Sequence, residues 1–133
     1  MSDPAHTSDA EGVVLVTGGT GAIGSFVIDE LLARKQRVIA TTRQMRRDPK
    51  RNEALRWVEI DILDSERMTS LMRDHGVGRV VHLAAAILNS EGDLPNALKA
   101  NTLGSASVFE AARRCNVKRV VYASSKAVLG SLT

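Results

Sequence analysis

Short apolar runs alternate along this chain with longer segments in which apolar residues recur at helical spacing. The runs are rich in Val and Ile and predict five strands, at residues 13–17, 37–42, 55–60, 79–84 and 119–123. Helices are predicted between them, at residues 25–32, from Asp64 or Ser65 to His75-Gly76, and at residues 95–116. Because strands that alternate with helices form parallel sheets through right-handed crossovers, the pattern predicts an α/β fold.

The apolar spacing also indicates which side chains form the core. Met68, Leu71 and Met72 give the second helix an apolar face, which we expect to be core rather than a ligand surface. The longest helix has as its buried candidates Ala97, Leu98, Val108, Ala111 and Ala112. His82 ends an apolar strand, and we expect it to pack in the core rather than to bind a ligand.

A glycine cluster separates the first strand from the first helix. Gly18 and Gly19 are expected to permit a tight turn, Gly21 to let a phosphate approach the backbone, and Gly24 to let the helix pack closely on the strand. A helix that starts there presents unpaired N–H groups and a partial positive charge, which suit a pyrophosphate. This selects a Rossmann doubly wound sheet with strand order 3-2-1-4-5 in three αβα layers. The alternative is a tight turn that binds nothing.

Composition fits one domain. The chain has 133 residues, of which 44% are hydrophobic and 25% charged, with a net charge of +3. Residues 1–11 are polar and predicted to be a disordered tail, and residues 12–133 to form the domain. The single cysteine, Cys115, suits a reducing cytoplasm, and neither a secretory signal nor a membrane-spanning segment is predicted. Neither a nucleic-acid partner, a membrane nor a metal site is predicted, and a homo-oligomer is compatible with these features.

Five segments in sequence order resemble the motifs of one enzyme family. Residues 17–24 resemble the cofactor motif of the extended short-chain dehydrogenase/reductase family, the NAD(P)-dependent epimerases, dehydratases and reductases, many of which act on nucleotide sugars. Further resemblances follow at residues 61–62, at 82–85, at 101–112 and at 121–130. Together they cover residues 12–130, almost the whole chain.

The resemblance implies an NAD(P) cofactor and assigns individual residues to it. The implied cofactor contacts are Gly18, Thr20, Gly21, Ala22, Ile23, Gly24, Thr42, Arg43, Asp61, Ile62, Leu83, Ala84, Ala85, Ala86, Asn101 and Ser124. Of these, Asp61 and Ile62 would receive the adenine ring, and residues 84–86 would lie along the ribose and phosphate. Ser125 takes the position of the catalytic hydroxyl, which would polarise the reacting oxygen.

Three of these assignments have plain structural alternatives. Asp61 also suits the cap of a turn, and Asn101 also suits a hydrogen bond to backbone within the long helix. Ser125 also suits an ordinary serine at the end of a strand.

The sequence departs from the family in the catalytic pair. Family members carry Tyr-x-x-x-Lys on the helix after the fifth strand, whereas this chain ends at Thr133. Tyr122 and Lys126 have the right spacing, but Tyr122 lies in a predicted strand, where residues four apart do not form such a pair. We therefore expect the cofactor-binding, N-terminal part of a longer enzyme whose small-molecule substrate binds only to the full-length protein. The alternatives are a natural short protein and a non-catalytic dinucleotide-binding or redox-sensing module.

The end of the second strand bears on the choice of cofactor. NAD-using relatives place an acid there, where it accepts hydrogen bonds from the ribose hydroxyls, but this chain has Thr42 followed by Arg43. A guanidinium can clamp a 2′-phosphate through two hydrogen bonds, so NADP is predicted over NAD. More basic residues follow, at Arg46, Arg47, Lys50 and Arg51, and the alternative is a solvated basic loop.

Overall fold

The computed structural model describes residues 12–45, 51–86 and 93–125. Five parallel strands form one sheet in the order β3-β2-β1-β4-β5. The strands are β1 Val13–Thr17, β2 Val38–Thr42, β3 Leu55–Glu59, β4 Val77–His82 and β5 Arg119–Tyr122. The sheet order and the parallel pairing confirm the predicted fold class.

Three helical regions connect the strands. They are α1 Ala22–Ala33, α2 Ser65–Asp74 and a continuous run made of α3 Leu94–Leu98, a π-helical segment Lys99–Gly104 and α4 Ser105–Arg114. The Asp64 carboxylate caps α2 by accepting a hydrogen bond from the Arg67 N–H, and His75 ends the helix, as predicted.

Alternate residues of β1 face opposite cores, which makes the domain three-layered. Val13 and Leu15 pack with Met68, Met72 and Val108, on the side covered by α2 and α4. On the other face a second cluster lies against α1; it contains Val14, Val16, Ile28, Val38, Ala40 and Leu55. Burial of both faces explains why the strands are continuous apolar runs rather than alternating ones.

The structure differs from the predicted elements at several boundaries. Helix α1 begins three residues earlier than predicted, directly after the glycine turn, and β4 ends at His82, which leaves Leu83 and Ala84 beyond the strand. The prediction that Leu98 is buried was wrong, because its side chain is 56% exposed. The π-helical segment directly after it was not predicted; its wider turns change which residues share the inner face of the run.

Several predictions concern residues outside the described ranges. They are the predicted tail at residues 1–11, the basic residues Arg46, Arg47 and Lys50, Lys126 of the rejected Tyr122 pair, and residues 126–130 of the last family motif. In the ranges that the structure describes, no helix has the length and apolar character needed to cross a membrane.

Candidate functional site

The turn after β1 is closed by contacts that leave no room for side chains. Gly18 has φ +72°, and a Cβ there would lie 2.7 Å from the Ala84 nitrogen. A Cβ on Gly24 would lie 2.2 Å from the Gly18 carbonyl oxygen, so Gly24 packs the first turn of α1 onto the turn itself. Gly19 has a packing role that was not predicted, since a Cβ there would press on the Ala40 and Ile28 side chains at 3.0 Å.

Gly21 differs from the other glycines of this turn. It is the N-cap of α1, with φ −74° and ψ 166°, and a Cβ would have only the Gly18 oxygen nearby, at 3.3 Å. Among the described residues no side chain caps α1, and its first turn contains no acid. The start of α1 therefore meets neither a cap side chain at Gly21 nor an acid in its first turn, as expected where an anion binds.

A cavity of about 1030 Å³ lies over the carboxyl ends of the strands, against this turn. It brings together most of the residues predicted to contact a cofactor: Gly18, Thr20, Gly21, Thr42, Arg43, Asp61, Ile62, Leu83, Ala84, Ala85 and Ala86. Sequence reasoning missed eight others: Thr41, Gln44, Met45, Ile60, Leu63, Asn96, Lys99 and Ala100. Asn96, Lys99 and Ala100 come from the long helical run, whose approach to the cavity no local pattern shows.

At the end of β2 the Thr42 side chain is buried and hydrogen-bonded, whereas the Arg43 side chain is exposed. The Thr42 side chain is buried, and its hydroxyl donates to the Gln44 carbonyl at 2.9 Å. Arg43 is exposed and lines the cavity. Thr42 therefore closes its own turn, and Arg43 is an exposed cation at the cavity rim.

Asp61 caps a turn and also lies at the cavity. Its Oδ1 accepts a hydrogen bond from the Leu63 N–H at 2.9 Å, so it caps the turn between β3 and α2. It is also exposed and lines the cavity. Ile62 beside it is buried, and its Cδ1 lies 2.5 Å from where a Cβ on Gly104 would stand. Gly104 thus lets the long helix approach Ile62.

His82 lies in the core, as predicted, but with polar partners. Its Nδ1 lies 2.6 Å from the Thr17 Oγ1, and its Nε2 lies 2.9 Å from the Ser105 Oγ. Burial lowers the pKa of the imidazole. The Phe109 ring meets it edge to face at 5.8 Å between centroids. His82 therefore joins β1, β4 and α4.

Asn101 bonds backbone, but not within its own helix. Its Oδ1 accepts from the Ala86 N–H at 2.7 Å, and its Nδ2 donates to the Ala86 carbonyl at 2.9 Å. It is not among the residues that line the cavity. The side chain instead holds the segment after β4, which does line it.

The cavity does not gather every predicted residue. Ala22, Ile23 and Gly24 lie behind Gly21 in the first turn of α1, and they do not line it. Ser124 and Ser125 are exposed just after β5 and are also absent from the lining. Tyr122 is in β5, as predicted, with its ring 5.5 Å from that of Phe109. In the described ranges no three His, Cys, Asp or Glu side chains lie together as a metal site would require.

Comparison with known proteins gives one consistent family. The model of the NAD dependent epimerase/dehydratase family matches residues 14–133. The chain is 35% identical over 133 residues to a UDP-glucose 4-epimerase of Azospirillum brasilense and 32% identical over 124 residues to sterol demethylase protein B of Methylococcus capsulatus. These alignments cover 89% and 87% of the chain, but 35% of each relative, so the chain spans about a third of their length.

A solved structure has the same fold. The Bordetella bronchiseptica enzyme WbmH, determined in complex with NAD+, superimposes with a TM-score of 0.81 at 32% sequence identity. The match covers 90% of this chain and 41% of WbmH.

Proposed function

The chain belongs to the NAD dependent epimerase/dehydratase family, and on that basis we propose that its cavity binds a nicotinamide dinucleotide. The single observation that carries the proposal is the position of the start of α1, with Gly21 as its N-cap, at the wall of this cavity. N–H groups and a helix dipole suit a pyrophosphate there, and Gly21 leaves room for it. When bound, the dinucleotide would supply hydride-transfer chemistry.

The remaining walls suit the rest of such a ligand. Asp61 offers a carboxylate to the exocyclic amine of an adenine, and Ile62 offers an apolar face. The small side chains of residues 84–86 leave space for a ribose and phosphate along the opposite wall. The residues present therefore fit the group.

We further propose that the cavity binds NADP more tightly than NAD. Arg43 is exposed at the rim, whereas Thr42 has its hydroxyl engaged with Gln44 and supplies no carboxylate for a ribose diol. WbmH was determined in complex with NAD+. The preference for NADP is therefore proposed for this chain alone, on the position of Arg43.

For the whole protein we propose an epimerase, dehydratase or reductase that acts on a nucleotide sugar or another hydroxy or keto substrate. Ser125 would polarise the reacting oxygen, and Ser124 would lie beside the nicotinamide end; both stay predictions. A single half-buried Cys115 and a dinucleotide cofactor suit the reducing cytoplasm.

Calorimetric titration tests the proposal. The wild-type chain is expected to bind NADPH and NADH, whereas Gly21→Val is expected to bind neither, because a branched side chain fills the space for the pyrophosphate. The φ of −74° at Gly21 allows valine without backbone strain, so the variant should remain folded. Ser25→Val is the matched control, since Ser25 is exposed on α1 outside the cavity lining. If the wild type binds neither dinucleotide, the proposal fails.

A further inference from the structure

The hydrogen bonds around His82 have only one consistent direction. The Thr17 Oγ1 accepts the N–H groups of Leu83 and Ala84, each at 3.2 Å, and the Leu83 N–H is shared with the Thr17 carbonyl oxygen at 3.2 Å. The Ser105 hydroxyl gives its only hydrogen to the Asn101 carbonyl, so the His82 Nε2 must donate to Ser105, and the Nδ1 of the neutral ring accepts from the Thr17 hydroxyl, 2.6 Å away. The neutral imidazole then carries its proton on Nε2 and donates to the Ser105 Oγ.

The chain of bonds continues into the π segment. The Ser105 hydroxyl has its own hydrogen left and donates it to the Asn101 carbonyl oxygen at 2.8 Å. Serine hydroxyls in helices commonly bond the carbonyl four residues earlier, and here that carbonyl belongs to the π segment. An unbroken series of hydrogen bonds thus leads from the Leu83 N–H to the Asn101 carbonyl.

A second connection returns to the same loop. The Asn101 side chain forms two hydrogen bonds with the backbone of Ala86, one to its N–H and one to its carbonyl. The segment 83–86 is therefore fixed at its start by Thr17 and at its end by Asn101, and His82 and Ser105 join these two anchors.

We infer that His82, Ser105 and Asn101 are positioning residues that hold segment 83–86 as a preformed wall of the dinucleotide cavity. None of the three lines the cavity, yet all four residues of the segment do. The inference rests on the proposed function for the identity of the ligand. A wall that is already ordered need not be ordered on binding, so the three residues act on affinity without touching the ligand.

Substitutions at Asn101 test the final anchor. Asn101→Ala removes both bonds to Ala86 and is expected to weaken NADPH binding on the order of tenfold. Asn101→Asp keeps the acceptor for the Ala86 N–H and loses the donor, so its affinity should fall between the two. Thr102→Ala is the matched control, because Thr102 is exposed in the same π segment. Equal affinity in Asn101→Ala and the wild type overturns the inference.

Amide hydrogen exchange separates this inference from the proposed function. In protein without cofactor, Asn101→Ala should speed exchange at the Ala86 N–H at least tenfold and leave β1 protected. This readout needs no ligand, so it holds even if the cavity binds something other than a dinucleotide. Unchanged exchange at Ala86 overturns the inference, whereas failure of the wild type to bind NADPH overturns the proposed function alone.

A double-mutant cycle tests whether the two anchors are joined. If Ser105 and Asn101 act through one connected series, the loss of affinity in Ser105→Ala with Asn101→Ala should be smaller than the product of the two single losses. Ser105→Ala removes only a hydroxyl, so it can interrupt the same hydrogen-bond series even if a substitution at His82 prevents folding. If the two losses of affinity multiply, the anchors are independent, and the inference that His82 and Ser105 connect them is wrong.

Discussion

The Gly18 carbonyl oxygen lies 2.2 Å from the position that a Cβ on Gly24 would occupy. The turn after β1 and the first turn of α1 are therefore in backbone-to-backbone contact. A methyl group at residue 24 would displace backbone atoms of Gly18 and Gly19, which have no side-chain rotamer through which to move away.

Gly24→Ala should consequently destabilise the domain by about 1–3 kcal/mol, the usual range for overpacking. Gly21→Ala is the matched comparison, because its Cβ would meet only one oxygen at 3.3 Å, and we expect it to lower the free energy of unfolding by less than about 1 kcal/mol. Urea unfolding of both variants measures the difference. Equal losses would show that the contact at Gly24 relaxes readily.

Arg43→Ala should narrow or remove the preference for NADP(H) over NAD(H). A charge-assisted contact to the 2′-phosphate supports a preference on the order of ten- to a hundredfold in the wild type. Paired calorimetric titrations measure the ratio of the two dissociation constants. Arg56→Ala is the control, since Arg56 is an exposed arginine of β3 that does not line the cavity. A wild type that prefers NAD would contradict the assignment of Arg43.

The salt dependence of binding gives an independent check on Arg43. Because the rim is exposed, added salt should weaken NADP binding more than NAD binding. Arg43→Ala should bring the two salt dependences together, and an unchanged difference would place the 2′-phosphate elsewhere.

Acid should destabilise the fold through His82. Burial holds the pKa of this imidazole below its ordinary value. On lowering the pH below about 6.5 the unfolded chain therefore takes up a proton that the folded chain does not, and the free energy of unfolding falls. The slope from this group approaches about 1.4 kcal/mol per pH unit and ends at the folded-state pKa.

His82→Gln should remove that part of the slope below about pH 6.5. His75→Gln is the control, because it leaves the bonds of His82 with Thr17 and Ser105 in place. Urea unfolding at a series of pH values measures the slopes. Equal slopes in His82→Gln and the wild type would contradict the buried, neutral state of His82.

Glu110 should contribute stability that depends on pH over a lower range. Hydrogen bonds from Arg113 and then Arg114 lower the pKa of its carboxyl to about 2. Its contribution is present above the unfolded-state pKa and is lost as the pH falls toward about 2.

The difference in unfolding free energy between the wild type and Glu110→Gln should therefore shrink as the pH is lowered through this range. High salt should reduce it at every pH, because the group is on the surface. Denaturant unfolding at two salt concentrations measures it. A difference that is constant with pH would show that these ion pairs do not stabilise the folded state.

The elements were predictable because their signals are local. The apolar runs, the glycine cluster and the Asp64 cap each occupy a few consecutive residues, and each was found within three residues of its predicted place. The strand order followed from the glycine-rich first turn and the alternation of elements, since right-handed crossovers leave few arrangements.

The sequence by itself therefore determined the fold, the glycine turn after β1 and most of the residues that line the cavity. Only the tertiary structure decided the exposure of Leu98, the approach of Lys99 to the cavity and the partners of His82 and Asn101. The bonds from His82 to Thr17 and from Asn101 to Ala86 join residues 65 and 15 positions apart. Such pairs become neighbours only after the sheet has assembled and the π segment has set the rotation of the long helix, because hydrogen bonds act over about 3 Å and a sequence pattern carries no distances of that kind.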